Sequence, residues 1–394
     1  MKKRWMIALL MLAIVLPCTG KAQATEAPLE EGTPFTITSP SVALMEASTG
    51  RMIFEKNADE RRPVASVTKV MTILLTLEAV DAGSAGLDDR VPVSQRAMSM
   101  GGSQVFLDAG QSYKLRDLLK SVIVASANDA AVALAEYMDG TEETFVRRMN
   151  ERAKELGLED THYVNCTGLP AQGHYTTARD VARLSAQLDR HPLYYEFSKI
   201  WMDEIGHKGG RKTQMTNTNR LIRFYEGCDG YKTGSTNEAR YCISATAKKN
   251  GLRLIAVVLG ADAGQTRFDE ARAMLEYGFS AYQLFMPVKE GDALGMEIPV
   301  RLGGKDAVGA VSGGTCTMLM KKGEQGEVSL EAALVERLTA PVKQGDIIGE
   351  IRVKRGDQVI MTLPAVAKEN VELPGFAHAL LRIRNRFMLK GKLL

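Results

Sequence analysis

The run Arg62-Pro63-Val64-Ala65-Ser66-Val67-Thr68-Lys69, continuing as Val70-Met71-Thr72-Ile73-Leu74-Leu75-Thr76-Leu77, decides how the chain is read. From Ser66 to about Val80 the periodicity is helical and apolar nearly all round: Val67, Val70, Met71, Ile73, Leu74, Leu75 and Leu77 leave little polar face. Such a helix belongs at the centre of a domain. It nevertheless carries Lys69, and an unpaired buried lysine is strongly unfavourable, so its presence asks for a reason. Residues three apart share a helix face, which lets the Ser66 hydroxyl meet the Lys69 amine without help from the rest of the fold. A serine hydroxyl is a weak nucleophile that needs an adjacent base. A lysine at its ordinary pKa of roughly 10 is no base at neutral pH, but burial and a neighbouring cation both disfavour its charged form. The bland alternative is a helix cap followed by a surface lysine.

Working outward, Val42–Met45 and Arg51–Glu55 read as strands about a turn at Ser48-Thr49-Gly50. Helices are expected over Leu115–Ala125, over Asp129–Tyr137 with Asp129 as cap, over Glu142–Leu156 with Thr141 as cap, and over Thr177–Leu188. Tyr241–Ala247 and Leu252–Gly260 are β-rich and meet at Asn250-Gly251, a strong hairpin signal. Arg267–Phe279 closes with a helix. Helices in the middle and strands at both ends predict an α+β domain, one antiparallel sheet built from both termini with helices packed on it. Beyond about Phe285, strands near Ala293–Leu302, Thr315–Met320, Ile347–Val353 and Gln358–Leu363 alternate with Gly-rich turns, a small all-β domain. The expected division is 1–24, 25–284, 285–372 and 373–394.

Two further motifs carry possible chemistry. Ser126-Ala127-Asn128 lies at the junction of two helical patterns. Capping explains it; the functional reading gives Ser126 a proton relay to a leaving amine and Asn128 an amide that holds substrate backbone. Lys232-Thr233-Gly234 precedes the Tyr241 strand. A polar turn explains it; the functional reading is an edge strand that pairs with an extended peptide. Gly234 then permits close approach, Thr233 offers a hydroxyl, and Lys232 is the cation that lowers the Lys69 pKa. Each motif is weak alone, and their joint occurrence in this order is a strong signal.

The termini add a cellular context. Lys2-Lys3-Arg4, the apolar stretch Trp5–Leu16 and Ala22-Gln23-Ala24 form the three parts of a secretory signal, with cleavage expected after Ala24. The chain has 394 residues and a formal charge of +3. Removing the signal and the basic stretch Val371–Leu394 leaves an acidic body, which excludes the basic face of a nucleic-acid binder. Phe376, Leu380, Ile383 and Phe387 recur on one helix face among Arg382, Arg384, Arg386 and Lys390, a pattern that lies in an anionic membrane interface and does not span it. Cys166, Cys228, Cys242 and Cys316 show no Cys-x-x-Cys pair, and the five histidines show no metal spacing, so no metal or cofactor is called for. Free thiols are the favoured reading, with disulfide pairing open.

The chain resembles the low-molecular-weight D-Ala-D-Ala carboxypeptidases of the penicillin-binding protein 5 class, from about Ser41 to the C-terminus. The three motifs carry the resemblance, with Gly168-Leu169, His174-Tyr175-Thr176-Thr177-Ala178, Asp229-Gly230-Tyr231-Lys232 and Thr266-Arg267-Phe268. It implies a β-lactamase/DD-peptidase-like domain with helices on both sheet faces. It also implies a serine-type carboxypeptidase that removes the terminal D-alanine from peptidoglycan stem pentapeptides at the outer face of the cell membrane and is acylated by β-lactams. Ser66 would be the nucleophile, Lys69 the acylation base and Ser126 the relay, with Asn128, Lys232 and Gly234 completing the site. Thr233 and Arg267 would hold the terminal carboxylate, and the N–H groups of Ser66 and Ser235 the oxyanion. His174 is expected to be structural. Two departures stand out: Ala127 inside the second motif, and Ser235 where some relatives have histidine. A DD-transpeptidase, a β-lactamase of the same fold or a non-catalytic peptidoglycan-binding protein are the alternatives. The β-lactamase lacks its Glu-x-x-Leu-Asn carboxylate, and a decoy has no need of Lys69.

Overall fold

The structure is a computed structural model that describes residues 35–323, 328–375 and 380. The leader at 1–24 and most of the tail helix expected at 373–394 lie outside the described residues. Strands β1 (Ser41–Glu46) and β2 (Met52–Lys56) form the opening hairpin. A 3-10 turn at Ala65–Thr68 leads into helix α1 (Lys69–Asp81). The ribbon β3 (Arg90–Pro92) and β4 (Ser112–Lys114) brackets helix α2 (Gln95–Met98) and a loop at 99–111. Helices α3 (Leu115–Val124), α4 (Asn128–Asp139), α5 (Glu142–Glu155), α6 (Ala178–Gln187) and α7 (Pro192–Ser198) follow. A hairpin, β5 (Met202–Gly206) and β6 (Lys212–Thr216), then a short α8 (Leu221–Phe224), lead to β7 (Cys228–Thr236), β8 (Arg240–Lys249), β9 (Leu252–Ala261) and α9 (Thr266–Ala281).

The central sheet has the order β2-β1-β9-β8-β7, all antiparallel, so both ends of the domain meet in one sheet and β7 is an edge. Asn250 and Gly251 both take positive φ (51° and 84°), the backbone that a two-residue hairpin requires. Alternation in β1 sends Ala43 and Met45 to one face and Val42 and Leu44 to the other. The first face packs on α1 and its neighbouring helices, with Val70, Met71, Ile73, Leu74 and Leu77 at or below 1% exposure. The second packs on α9 through Phe268, Ala271, Met274 and Leu275. Each buried Val, Leu, Ile, Met or Phe side chain among these contributes about 1.5–3 kcal/mol.

Two helix assignments differ from expectation. The α-helix begins at Lys69, because the chain at Ser66 is wound into the tighter turn. Asp129 does not cap α4: Ala127 is at the N-cap without a side-chain bond, and Asp129 is wholly buried inside the helix. Thr141 caps as expected, accepting from Thr144 N, and Thr177, expected as the first helical residue, is the cap of α6, accepting from Asp180 N. The hairpin at 202–216 had no reading in the sequence.

After α9, β10 (Tyr282–Val288) pairs with β13 (Cys316–Lys321). Strands β11 (Ala293–Arg301), β12 (Ala307–Ser312), β14 (Val328–Leu334), β15 (Leu338–Thr339), β16 (Ile347–Arg355) and β17 (Gln358–Ala367) form a second sheet, ordered β14-β16-β17-β12-β11-β15. The all-β character is as expected, with more strands. Arg51 Nη1 donates to Leu319 O at 3.0 Å and Lys322 N to Ala281 O at 2.7 Å, tying this sheet region to the first. No helix among the described residues is long and apolar enough to cross a membrane.

Candidate active site

The tight turn brings nucleophile and base together. Val67 N donates to Val64 O at 3.2 Å, and in a 3-10 turn side chains three apart eclipse. Lys69 Nζ accordingly donates to Ser66 Oγ at 2.8 Å and to Thr167 O at 2.7 Å. The lysine is fully buried, and burial lowers its pKa to about 7, partly opposed by Cys166 and Asp129. A large share of the amine is therefore neutral near pH 7.

Thr167 is held from several sides. Asn165 Oδ1 accepts from Thr167 N (3.2 Å) and Gly168 N (2.7 Å), and Thr72 Oγ1 donates to Cys166 O at 2.7 Å. Cys166 N donates to the buried Glu142 carboxylate at 3.1 Å, which Arg96 binds at 2.5 Å. Gly168 has φ +81°, and a Cβ there would lie 1.9 Å from Ala65 O, so only glycine lets this loop back the Ser66 turn. His174 braces the same turn. Val164 N donates to its Nδ1 (3.2 Å), so the ring proton is on Nε2 and donates to Thr68 Oγ1 at 2.8 Å. Burial drives its pKa down to about 4 and keeps it neutral.

Edge strand β7 forms the opposite wall. Lys232, Thr233 and Gly234 pair with Ser244, Ile243 and Cys242 of β8, which leaves their other edge toward the Ser66 turn. A Cβ on Gly234 would lie 2.5 Å from Val64 O and 2.8 Å from Ser66 N. Lys232 is buried with its Nζ on Thr233 O at 3.0 Å. Its pKa falls well below the lysine range through burial first, then through Lys69 and Arg267. Burial is the largest cause at both amines, and the repulsion between Lys69 and Lys232 acts in the same direction. Arg267, on α9, donates from Nη1 to Gly234 O (2.9 Å) and Cys242 O (3.2 Å), and its Nε has no partner among the described residues. Ser235 is exposed at the end of the wall.

Ser126 and Asn128 form the third side. Ser126 joins α3 to α4 with φ +63°, a strained position for a serine, and its buried Oγ has no partner among the described residues. Asn128 donates from Nδ2 to Gly101 O and from N to Ser103 O, both at 2.7 Å, while its buried Oδ1 is unpartnered among the described residues. Both atoms lie at the junction of α3 and α4.

The contacts close a ring. Thr218 N donates to Val124 O (3.1 Å), and Thr233 Oγ1 donates to Thr218 Oγ1 (2.8 Å), joining the Ser126 loop to β7. Gly234 lies on the Ser66 turn, Lys69 on Thr167, and the neighbouring Leu169 faces Gly102, which packs on Asn128. All nine residues singled out from the sequence lie on this ring or, for Arg267, directly behind it. Asp129, Glu142, Thr167 and Thr218 were missed. Thr218 carries no motif, and Gly168 was noticed only as part of a resemblance.

A profile described as D-alanyl-D-alanine carboxypeptidase matches residues 22–263, and one described as the penicillin-binding protein 5 C-terminal domain matches residues 282–373. The chain is 39% identical over 337 residues to the D-alanyl-D-alanine carboxypeptidase DacF of Bacillus subtilis, covering 85% of this chain and 86% of that protein. It is 36% identical to DacC of Escherichia coli, covering 86% and 87%. The crystal structure of penicillin-binding protein 5 from Haemophilus influenzae superposes with a TM-score of 0.72 at 29% identity, over 87% of this chain and all of that one. The chain belongs to the D-alanyl-D-alanine carboxypeptidase family of serine hydrolases.

Proposed function

We propose that Ser66 attacks the carbonyl of the penultimate D-alanine of a peptidoglycan stem pentapeptide, releasing the terminal D-alanine and leaving an acyl-enzyme that water then hydrolyses. The observation that carries this reading is the 2.8 Å contact between Ser66 Oγ and a buried Lys69 amine whose pKa is about 7. Neutral Lys69 takes the hydroxyl proton as the C–O bond forms. The proton passes through Ser126 to the departing amine as the C–N bond breaks. The N–H groups of Ser66 and Ser235 receive the oxyanion, and Gly234, without a side chain, lets the strand approach closely enough for both to converge. Thr233, Lys232 and Arg267, whose buried Nε has no partner among the described residues, hold the terminal carboxylate. Asn128 binds the peptide backbone through the amide atom it leaves unused. β-Lactams acylate the same serine.

The leader pattern and basic tail favour an exported enzyme on the extracytoplasmic face of the cell membrane, anchored by an interfacial helix. Labelling by fluorescent penicillin that vanishes in Ser66→Ala, with D-alanine released from a pentapeptide, is the expected result. Labelling that persists in Ser66→Ala would end the proposal; transfer to an amine acceptor in place of release would make it a transpeptidase.

A further inference from the structure

Asp129 is a fully buried carboxylate that makes no salt bridge among the described residues. A charge in that position is costly unless its lone pairs are occupied. Here backbone groups occupy them. Val105 N donates to Oδ1 and Oδ2 at 3.2 Å each, Leu107 N to Oδ2 at 3.1 Å, and Ala130 N to Oδ1 at 2.9 Å. The loop clamped at 105 and 107 forces Phe106 between them into a positive φ of 58° with its ring 59% exposed. Upstream, the same loop supplies Gly101 O and Ser103 O, the two acceptors that orient Asn128. The chain spends strain at Phe106 to keep this carboxylate bound and this loop in place.

The groups around Lys69 give the charge a second use. Ser66 accepts from it at the turn, and Cys166 of the 165–169 loop, Lys232 of β7 and Asp129 of α4 act on it through their charge. The Cys166 thiol is held protonated by burial and by Glu142. Lys232 opposes a second positive charge. Asp129, like the Thr167 carbonyl that accepts from Nζ, favours one. On its own far side Asp129 acts on His207, which burial keeps neutral and which Tyr113 and Thr213 hold, with Asp108 and Arg211 beyond.

We propose that Asp129 is a positioning residue that serves the serine–lysine pair twice: it clamps the loop that orients Asn128, and its charge balances the ammonium that Lys69 becomes on taking the Ser66 proton. This rests on the assignment of Lys69 as acylation base. The proton moves only among Ser66, Lys69, Ser126 and the leaving amine.

The test is the pH profile of acylation by a fluorescent penicillin in the full chain, for wild type, Asp129→Asn and Asp129→Ser. Removing a nearby anion lowers the pKa of an amine. In wild type the rate rises through about pH 7. In both neutral variants the rise moves to lower pH by about half to one unit, and the plateau falls as the loop loosens. The rate at pH 6 relative to pH 8 then increases roughly two- to five-fold. Asp129→Ser carries the reading if Asp129→Asn fails to fold, since the charge is gone in each. A plateau loss with an unmoved rise would reduce Asp129 to a structural clamp and overturn the charge-balancing role, and an unaltered profile would overturn both roles. If wild type shows no rise near pH 7 at all, the assignment of Lys69 itself falls, which is a separate outcome.

Discussion

Replacing Gly234 by alanine isolates how close β7 must come to the nucleophile. The new Cβ would sit 2.5 Å from Val64 O, 2.8 Å from Ser66 N and 3.0 Å from Val67 N, where ordinary contacts begin near 3.4 Å. The first of these is about 0.9 Å inside contact, and all three partners are backbone, which has no rotamer to yield. The free edge of β7 faces the Ser66 turn and its other edge is bonded to β8, so relief requires the strand to shift against β8 or the turn to move, by about half an ångström to one ångström. Either movement carries the Ser235 N–H away from the Ser66 N–H. A misplacement near 1 Å costs on the order of 100-fold in rate, about 2.7 kcal/mol of transition-state stabilisation. Global stability should change less, by about 1–3 kcal/mol, the usual range for overpacking. Stopped-flow acylation by a fluorescent penicillin measures the first, and thermal unfolding of the same preparation the second. Acylation within three-fold of wild type would refute the close-approach reasoning. So would an acylation loss fully accounted for by an unfolded fraction.

Further outcomes follow from the same geometry. Lys69→Arg, which keeps a cation that cannot deprotonate, should lose about 10²–10⁴-fold in acylation while the fold persists; a residual rate within ten-fold would remove Lys69 as base. Because the His174 pKa is depressed from 6.5 to about 4, the unfolded chain binds the extra proton first. Its stability contribution is whole above pH 6.5 and is lost as pH falls toward 4, by about 3 kcal/mol in all. His174→Gln should flatten that part of the unfolding-temperature profile, and an equally steep profile would contradict it. Deleting Phe376–Leu394 should release the signal-cleaved enzyme from membrane fractions with activity on small peptides retained; sedimentation with membranes after deletion would refute an interfacial tail. Glu142→Gln should loosen the Cys166–Thr167 support and slow acylation several-fold, with penicillin binding before acylation little changed.

Much of the architecture was legible because it rests on local chemistry. Asn250-Gly251 needs two left-handed residues and so announces its hairpin. Thr141 satisfies a helix N–H group three residues from itself. The apolar run after Ser66 declares its burial, and with it the anomaly of Lys69. What was misread involves partners distant in the chain. Asp129 has a cap's composition, yet its bonds go to Val105 and Leu107, more than twenty residues away. The 202–216 hairpin has too little apolar alternation to stand out, and its role appears only when Thr218 meets both Val124 and Thr233.

The one-dimensional chain therefore settles which side chains are capable of the chemistry, since a serine three residues before a lysine on an apolar helix is a property of spacing alone. It does not settle how hard that lysine is pressed toward neutrality. That is decided when the 165–169 loop, α4 and β7 close around it, because desolvation and charge coupling depend on distances through space. The same holds for Gly168 and Gly234: their lack of a side chain acquires meaning only where a folded backbone passes within contact distance of another.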